Sequence, residues 1–376
     1  MTEKRVKLTN DERFMMMALK EAEKGAGHVS PNPLVGAIAV KDGKVLAKAY
    51  HKKYGDMHAE IALLKKLSRE QAIDATIYVN LEPCCHVGKT APCTPALIEA
   101  GVRRVVIAQQ DPNPLVNGKG MMQLSEAGIE VTHGVCEAAA RRLNAAFTTF
   151  ITKGRPWILL KIAQSMDGRI ALNNGNSRWI TGGESRIEVH RLRAKLDALF
   201  VGVQTIIDDD PELNVRHTKG RNPVRIIADS KLRIPEDARV LKHKDQKKTW
   251  LLITDDVDAE KVKRIKKLGV QLISCRAAAN GRVEMKHAMN EIALRDVASI
   301  LVEGGGTVHA ALLADGLWDE MIIAVAPMLI GADGRPSVGE LSLQTLADAP
   351  RVTPYKQAMF EEDHWYYLER YVHGNS

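Results

Sequence analysis

Thr76-Ile77-Tyr78-Val79-Asn80-Leu81 is rich in β-branched and aromatic side chains and reads as a buried strand. It runs into the loop Glu82-Pro83-Cys84-Cys85-His86-Val87-Gly88-Lys89-Thr90-Ala91-Pro92-Cys93. Thr94-Pro95 then supplies a helix cap with proline at the first helical position, and Gly101 closes that helix. Arg104–Ala108 is again a strand. Upstream, Thr9-x-x-Glu12 is a capping box opening a helix that runs to Gly25. Leu34–Lys41 and Lys44–Tyr50 form a hairpin across Asp42-Gly43, and a helix spans about His58 to Leu67. Residues 136–150 are expected to form one further helix. Strands alternating with helices predict an α/β sandwich.

At roughly 150 residues per domain, 376 residues predict two or three domains. Lys153-Gly154-Arg155-Pro156 is a boundary signal, so domains at 1–150 and 151–376 are expected. A second α/β pattern follows, with strands at Trp157–Ala163, Leu199–Val203, Arg225–Ala228, Trp250–Ile253 and Ser299–Val302. Gly334-Arg335-Pro336 and Glu361-Glu362 read as surface loops. The longest apolar run, Met321 to Ala332, has 12 residues, whereas a membrane helix needs roughly 20. The charged start Met1-Thr2-Glu3-Lys4-Arg5 is not a secretory signal, and a cytoplasmic protein is expected.

The net charge of +7 is spread evenly: 20 basic against 16 acidic residues in 1–150, and 33 against 30 thereafter. With 5% aromatics and no basic arm, the composition argues against a nucleic-acid partner and for modest attraction to small anions. Five cysteines, three of them within ten residues, argue against a disulfide framework and for metal or chemistry.

His58-Ala59-Glu60, Pro83-Cys84 and Cys93 offer one imidazole and two thiolates, a donor set that suits zinc and leaves a fourth position for water. Cys85 and His86 stand beside them, so a closed four-ligand clamp is the competing reading. Glu60, two residues past His58 at a helix start, can approach a metal-bound water without being a ligand, as hydrolytic deamination requires. The pattern resembles the zinc nucleobase deaminases, except that Cys84 and Cys93 are nine apart instead of three.

The long cysteine loop, with Pro31-Asn32-Pro33-x-Val35-Gly36 and His51, resembles the bacterial bifunctional riboflavin-biosynthesis family. There a pyrimidine deaminase is fused to a reductase. Cys85 stands where the family usually has Ser; the Pro-Cys order favours Cys84 as ligand. The resemblance implies a cytidine-deaminase-like α/β/α sandwich with substrate contacts at Asn32, His51, His86 and Lys89.

In the second half, Ser299–Val302 precedes Glu303-Gly304-Gly305-Gly306-Thr307 and an apolar helix to about Ala314, a turn that presents free N–H groups to a phosphate. The order is not that of the usual dinucleotide fingerprint. Lys161-x-Ala163-x-Ser165-x-Asp167-Gly168, Ser177-x-Trp179-Ile180-Thr181 and Asp209-Asp210-Pro211-x-Leu213-x-Val215-Arg216 resemble the riboflavin reductase domain, which is similar in fold to dihydrofolate reductase. The resemblance implies NADPH near Ala163, Trp179, Thr205, Asp209, Ser230, Gly305, Gly306 and Thr307. It implies substrate contacts at Ser177, Arg193, Leu213, Arg216 and Glu303, the two arginines suiting a sugar phosphate by bidentate pairing. Phosphorylated pyrimidines, Zn2+ and NADPH are thus the expected partners, in a homo-oligomer with no membrane or nucleic acid. No proton donor for the reduction is legible.

Overall fold

A computed structural model describes residues 8–86, 91–242, 245 and 248–370. The chain divides into two units, Met1–Gly154 and Arg155–Ser376.

In the first unit Thr9 Oγ1 accepts the Glu12 N–H while the Glu12 carboxylate accepts from Thr9, and α1 (Asn10–Ala22) follows. β1 (Gly36–Lys41) and β2 (Lys44–Tyr50) turn at Asp42 and Gly43, whose φ angles of 51° and 71° match the twist of a tight hairpin. Then come α2 (Ala59–Leu64), α3 (Arg69–Ala72), β3 (Thr76–Leu81), α4 (Cys93–Glu99), β4 (Arg104–Gln109), α5 (Lys119–Glu126), β5 (Glu130–His133), α6 (Glu137–Leu143) and α7 (Ala145–Lys153). The sheet runs β2-β1-β3-β4-β5, with β3, β4 and β5 parallel and β1 antiparallel to its neighbours. α1 and α6 cover the face carrying Ile38, Tyr78 and Val106. α2, α4 and α5 cover the face carrying Ile77, Val79 and Ile107. Three layers result, α/β/α, and the parallel strand ends β3 and β4 deliver the cysteine loop and its neighbours to one rim.

Two local expectations need correction. The helix expected over 136–150 is two helices, broken at Asn144, whose amide accepts from Leu34 N at 2.8 Å and donates to Leu34 O at 3.1 Å. An Asn that hydrogen-bonds a distant backbone in this way no longer supports a continuous helix. Thr94 does not cap α4: Pro92 occupies the cap, Cys93 is the first helical residue, and Thr94 Oγ1 donates to Gln123 Oε1 at 2.6 Å.

The second unit contains β6 (Trp157–Ser165), β7 (Arg169–Leu172), α8 (Gly183–Lys195), β8 (Ala198–Gly202), α9 (Val203–Asp209), β9 (Val224–Ala228), β10 (Thr249–Ile253), α10 (Ala259–Lys267), β11 (Gln271–Ser274), α11 (Met285–Ala293), β12 (Ser299–Val302), α12 (Gly306–Ala314), β13 (Glu320–Ala326), β14 (Gly334–Pro336), β15 (Val352–Phe360) and β16 (Asp363–Arg370). Its large sheet runs β11-β10-β9-β8-β12-β6-β13-β16-β15; the strands from β11 to β13 are parallel, and β16 and β15 extend the edge antiparallel. The first half of the Met321 run, to Ala326, lies in β13 within this sheet. Gly334-Arg335-Pro336 is not a loop but a strand paired with β7, held where Arg335 meets Asp208 at 2.7 Å. Glu361 is likewise engaged, accepting from Gly183 N at 2.9 Å. No helix among the described residues is long and apolar enough to cross a membrane.

Gly36 is where α1 rests on β1: a Cβ there would lie 2.2 Å from Ala18 O and 2.6 Å from Ala22 N, both backbone atoms of α1. Gly36→Ala is expected to push the helix off the sheet and cost about 2–3 kcal/mol, within the range for overpacked cores. Urea unfolding followed on the first unit measures this; an unchanged midpoint contradicts the close approach.

Candidate functional site

His58 caps α2 with extended backbone (φ −63°, ψ 158°), which sends its ring off the helix end and leaves Glu60 in the first turn. Cys84 follows β3 by three residues, and Cys93 begins α4. These elements bring His58 Nδ1 to 3.4 Å from both Cys84 Sγ and Cys93 Sγ. The three donor atoms all lie within 4.8 Å of one another, and among the described residues no other group of His, Cys, Asp or Glu is so placed. Cys85 and His86 are outside it, so the four-ligand clamp is not assembled. The Cys93 N–H donates to Cys84 Sγ at 3.4 Å.

The electrostatics fit a cation at this point. The Cys93 thiol, with His58 beside it, holds Cys84 down to about 4. The same contact, reinforced by burial and by Glu60, pushes Cys93 up. One proton is thus shared between two sulfurs that ionise together only with a positive charge between them. Glu60 is 3% exposed, and burial, then the Cys84 thiolate, push its carboxyl up to about 7.

A cavity of about 290 Å3 opens on this cluster, lined in part by Asn32, His51, His58, Glu60, Cys84 and His86. His51 Nδ1 faces the Met57 carbonyl at 3.0 Å and therefore donates to it. Burial pushes His51 down, so the ring is neutral and its Nε2 is an acceptor, 3.2 Å from Asn32 Nδ2. That bond fixes which way the Asn32 amide is turned. His86 Nδ1 is buried with no partner among the described residues. Lys89 lies outside the described residues.

Sequence reasoning missed three further groups at this cavity. Asp111 and Phe147 line it, and burial pushes the Asp111 carboxyl up to about 6. Glu82, 3% exposed, accepts backbone N–H from Asp111, Gly118, Gly120 and Met121 at 3.1, 2.9, 2.9 and 3.2 Å. It thereby fastens the residue before Pro83-Cys84 to the start of α5. A Cβ on Gly120 would lie 2.2 Å from Pro83 O, so glycine permits the approach. The paired glycines Gly118 and Gly120 were the available signal, but their partner is 36 residues or more away in sequence.

In the second unit a cleft of about 550 Å3 is lined by Ala163, Trp179, Thr205, Asp209 and the turn Gly305-Gly306-Thr307, and also by Ser177, Arg193, Arg216 and Glu303. Ser230 lies instead in an adjoining cleft of about 1190 Å3, which shares Thr307 with the first. Leu213 lines neither cleft; it is 3% exposed in the core. Gly305 has φ 78°, and the N–H groups of Gly304, Gly305, Gly306 and Thr307 meet no acceptor among the described residues. That cradle fits a phosphate-bearing cofactor.

Arg193 is not free for a phosphate. Its guanidinium grips Glu303 in a bidentate pair at 2.6 and 2.7 Å and donates to Asn214 O at 3.0 Å. Burial raises the Glu303 carboxyl, but Arg193 more than offsets this and keeps it below the usual carboxylate range. Lys161, missed as a site residue, lines the same cleft beside this pair, and burial pushes its ammonium down. Ser177 Oγ donates to Asp209 Oδ1 at 2.6 Å. Arg216 is exposed, its Nη1 on Asn214 Oδ1 at 3.2 Å.

Comparison with known proteins gives a family match in each half of the chain. The family described as "Cytidine and deoxycytidylate deaminase zinc-binding region" matches residues 8–109, and the "RibD C-terminal domain" matches 156–363. The riboflavin biosynthesis protein RibD of Aquifex aeolicus is 40% identical over 96% of this chain and 99% of its own length. The chain belongs to the RibD family. RibD of Escherichia coli is 38% identical over 91% of this chain and 94% of its own. The solved RibD of Acinetobacter baumannii superposes with a TM-score of 0.86 at 34% identity, covering 96% of this chain and 99% of that one. Membership makes this a bifunctional RibD enzyme of riboflavin biosynthesis, with a cytidine-deaminase-like first domain and a reductase second domain.

Two outcomes follow from these contacts. Glu82→Gln turns an amide NH2 toward two of its four N–H donors, and is expected to weaken metal binding at the His58–Cys84–Cys93 cluster by at least about tenfold, as loss of a group supporting a ligand loop does; competition with a chromophoric chelator reads this, and unchanged affinity contradicts the role of Glu82. Arg193→Ala leaves Glu303 buried and unpaired and is expected to destabilise the second unit by about 3–5 kcal/mol. Denaturant unfolding followed on the second unit measures it, with the first unit unaffected.

Proposed function

We propose that the first domain hydrolytically deaminates 2,5-diamino-6-ribosylamino-4(3H)-pyrimidinone 5′-phosphate and that the second reduces the ribosyl side chain of the product with NADPH, giving 5-amino-6-(5-phosphoribitylamino)uracil. The observation that carries this is the His58–Cys84–Cys93 cluster opening, with the buried Glu60, on one cavity. A solved relative from Thermotoga maritima, 32% identical with a TM-score of 0.82, bears the name of this deaminase and reductase pair.

Zn2+ held by His58 Nδ1, Cys84 Sγ and Cys93 Sγ would supply Lewis acidity toward a water molecule. Glu60 does the proton work: a carboxyl that titrates near neutrality takes a proton from the water and delivers it to the departing amine. Asn32, oriented by His51, offers its amide to the pyrimidine. His86 and Lys89 stand as donors for the anionic part of the substrate.

In the second domain NADPH, when bound, would supply a hydride. Gly305, Gly306 and Thr307 offer N–H groups to its phosphates, and Ser230 lines the adjoining cleft. Ala163, Trp179, Thr205 and Asp209 line the smaller cleft. Ser177 and Glu303 offer polar groups to the substrate, Arg193 holds the Glu303 carboxylate in place, and Arg216 is the cation left for the sugar phosphate.

The test separates the two activities. Glu60→Gln is expected to lower ammonia release by about 10²–10⁴-fold, the usual worth of a general acid–base group. The same variant still oxidises NADPH when given the deaminated intermediate. No ammonia from the wild-type chain ends the deaminase reading, and loss of both activities with the fold intact contradicts two separate sites.

A further inference from the structure

His309, in the second turn of α12, is 2% exposed. Its Nδ1 lies 3.0 Å from Ser337 O, a carbonyl, and so must carry the hydrogen of that bond. The Nε2 of a neutral ring is then an acceptor. It is buried and has no partner among the described residues. A buried polar atom without a partner is costly, so an orphan on a residue that lines a cleft points to a donor that arrives with a ligand. Burial, with Lys161 nearby, disfavours the charged ring and keeps Nε2 an acceptor.

The place of the ring within the two clefts selects the donor. His309 lines only the smaller cleft. The larger one, rimmed by Lys231, Arg233 and Arg282 around Ser230, has the cations that suit the phosphate-rich adenosine end of a dinucleotide. The two meet at Thr307 and Val308, the residues immediately before His309. A cofactor laid across that junction therefore carries its nicotinamide end into the smaller cleft. That end bears one N–H donor group, the carboxamide NH2.

We infer that His309 Nε2 accepts a hydrogen bond from the nicotinamide carboxamide, and that Nδ1, tied to Ser337, holds the ring in the orientation this needs. The inference rests on the reading of the second domain as a nicotinamide-dinucleotide reductase. It makes His309 a cofactor-positioning contact beyond the glycine turn. The same ring couples α12 to the segment around Pro336 that lines the cleft.

The experiment compares binding of NADP+ with that of its 3-acetylpyridine analogue, in which a methyl group replaces the carboxamide NH2, by titration calorimetry on the full chain. Wild type is expected to bind NADP+ about five- to tenfold more tightly, the worth of one neutral hydrogen bond. His309→Asn keeps a donor for Ser337 O but has nothing at the Nε2 position, and is expected to bind both nucleotides equally. His309→Gln, whose amide reaches that position, is expected to restore the preference. Binding of 2′,5′-ADP, which has no nicotinamide, is expected to be the same in all three chains. Equal preference for NADP+ in wild type and both variants overturns the inference alone, and so does a loss of 2′,5′-ADP binding that matches the loss of NADP+ binding in both variants. Failure of wild type to bind either NADP+ or 2′,5′-ADP overturns the cofactor reading itself, and this inference with it.

Discussion

A carboxylate buried among backbone N–H groups underlies the metal-facing half of the molecule. Glu82 gathers four such donors from the start of α5 and the segment before it, and by doing so fixes the chain one step before Pro83-Cys84. A thiolate can serve as a ligand only if its backbone is held against the neighbouring imidazole. The second domain solves a like problem with a different pair. Glu303 would be costly if buried alone; Arg193 meets it with two parallel N–H bonds and is in turn committed to it. Each carboxylate stands at the end of a parallel strand, β3 or β12, where the side chains of successive elements converge.

How far the amino-acid order alone reached depended on distance along the chain. The Thr9 capping box, the Asp42-Gly43 hairpin and the strand Thr76–Leu81 are local signals, and each forms over the residues that carry it. His58, Cys84 and Cys93 were legible as a set because few other chemistries need one imidazole and two thiols beside a carboxylate. Leu213, with no polar atom in its side chain to mark a site, lies in the core instead. Arg193 was legible as a cation but not as one already paired, since Glu303 is 110 residues away. Asn144 was invisible as a helix breaker for the same reason: its partner, Leu34, is also 110 residues distant. The antiparallel edge formed by β15 and β16 escaped because Pro354 interrupts β15, where the register also shifts.

The pairing of His51 with Asn32 shows how a tautomer can be set by a backbone carbonyl, here that of the residue before His58. Met57 O decides which ring nitrogen of His51 carries the hydrogen, and thereby which end of the Asn32 amide is turned to His51. A histidine used in this way is an orienting device, and its burial suppresses the charge that would scramble the order.

The break at Asn144 has a bearing on how the two activities can be cut apart. Because α7 begins afresh there and contributes Phe147 to the wall of the cavity beside the His58–Cys84–Cys93 cluster, the deaminase half is not closed by its sheet and preceding helices alone. A scissor placed just after α6 would leave that chamber open to bulk solvent on one flank. An excised piece with an intact chamber therefore has to extend past Phe147 into α7.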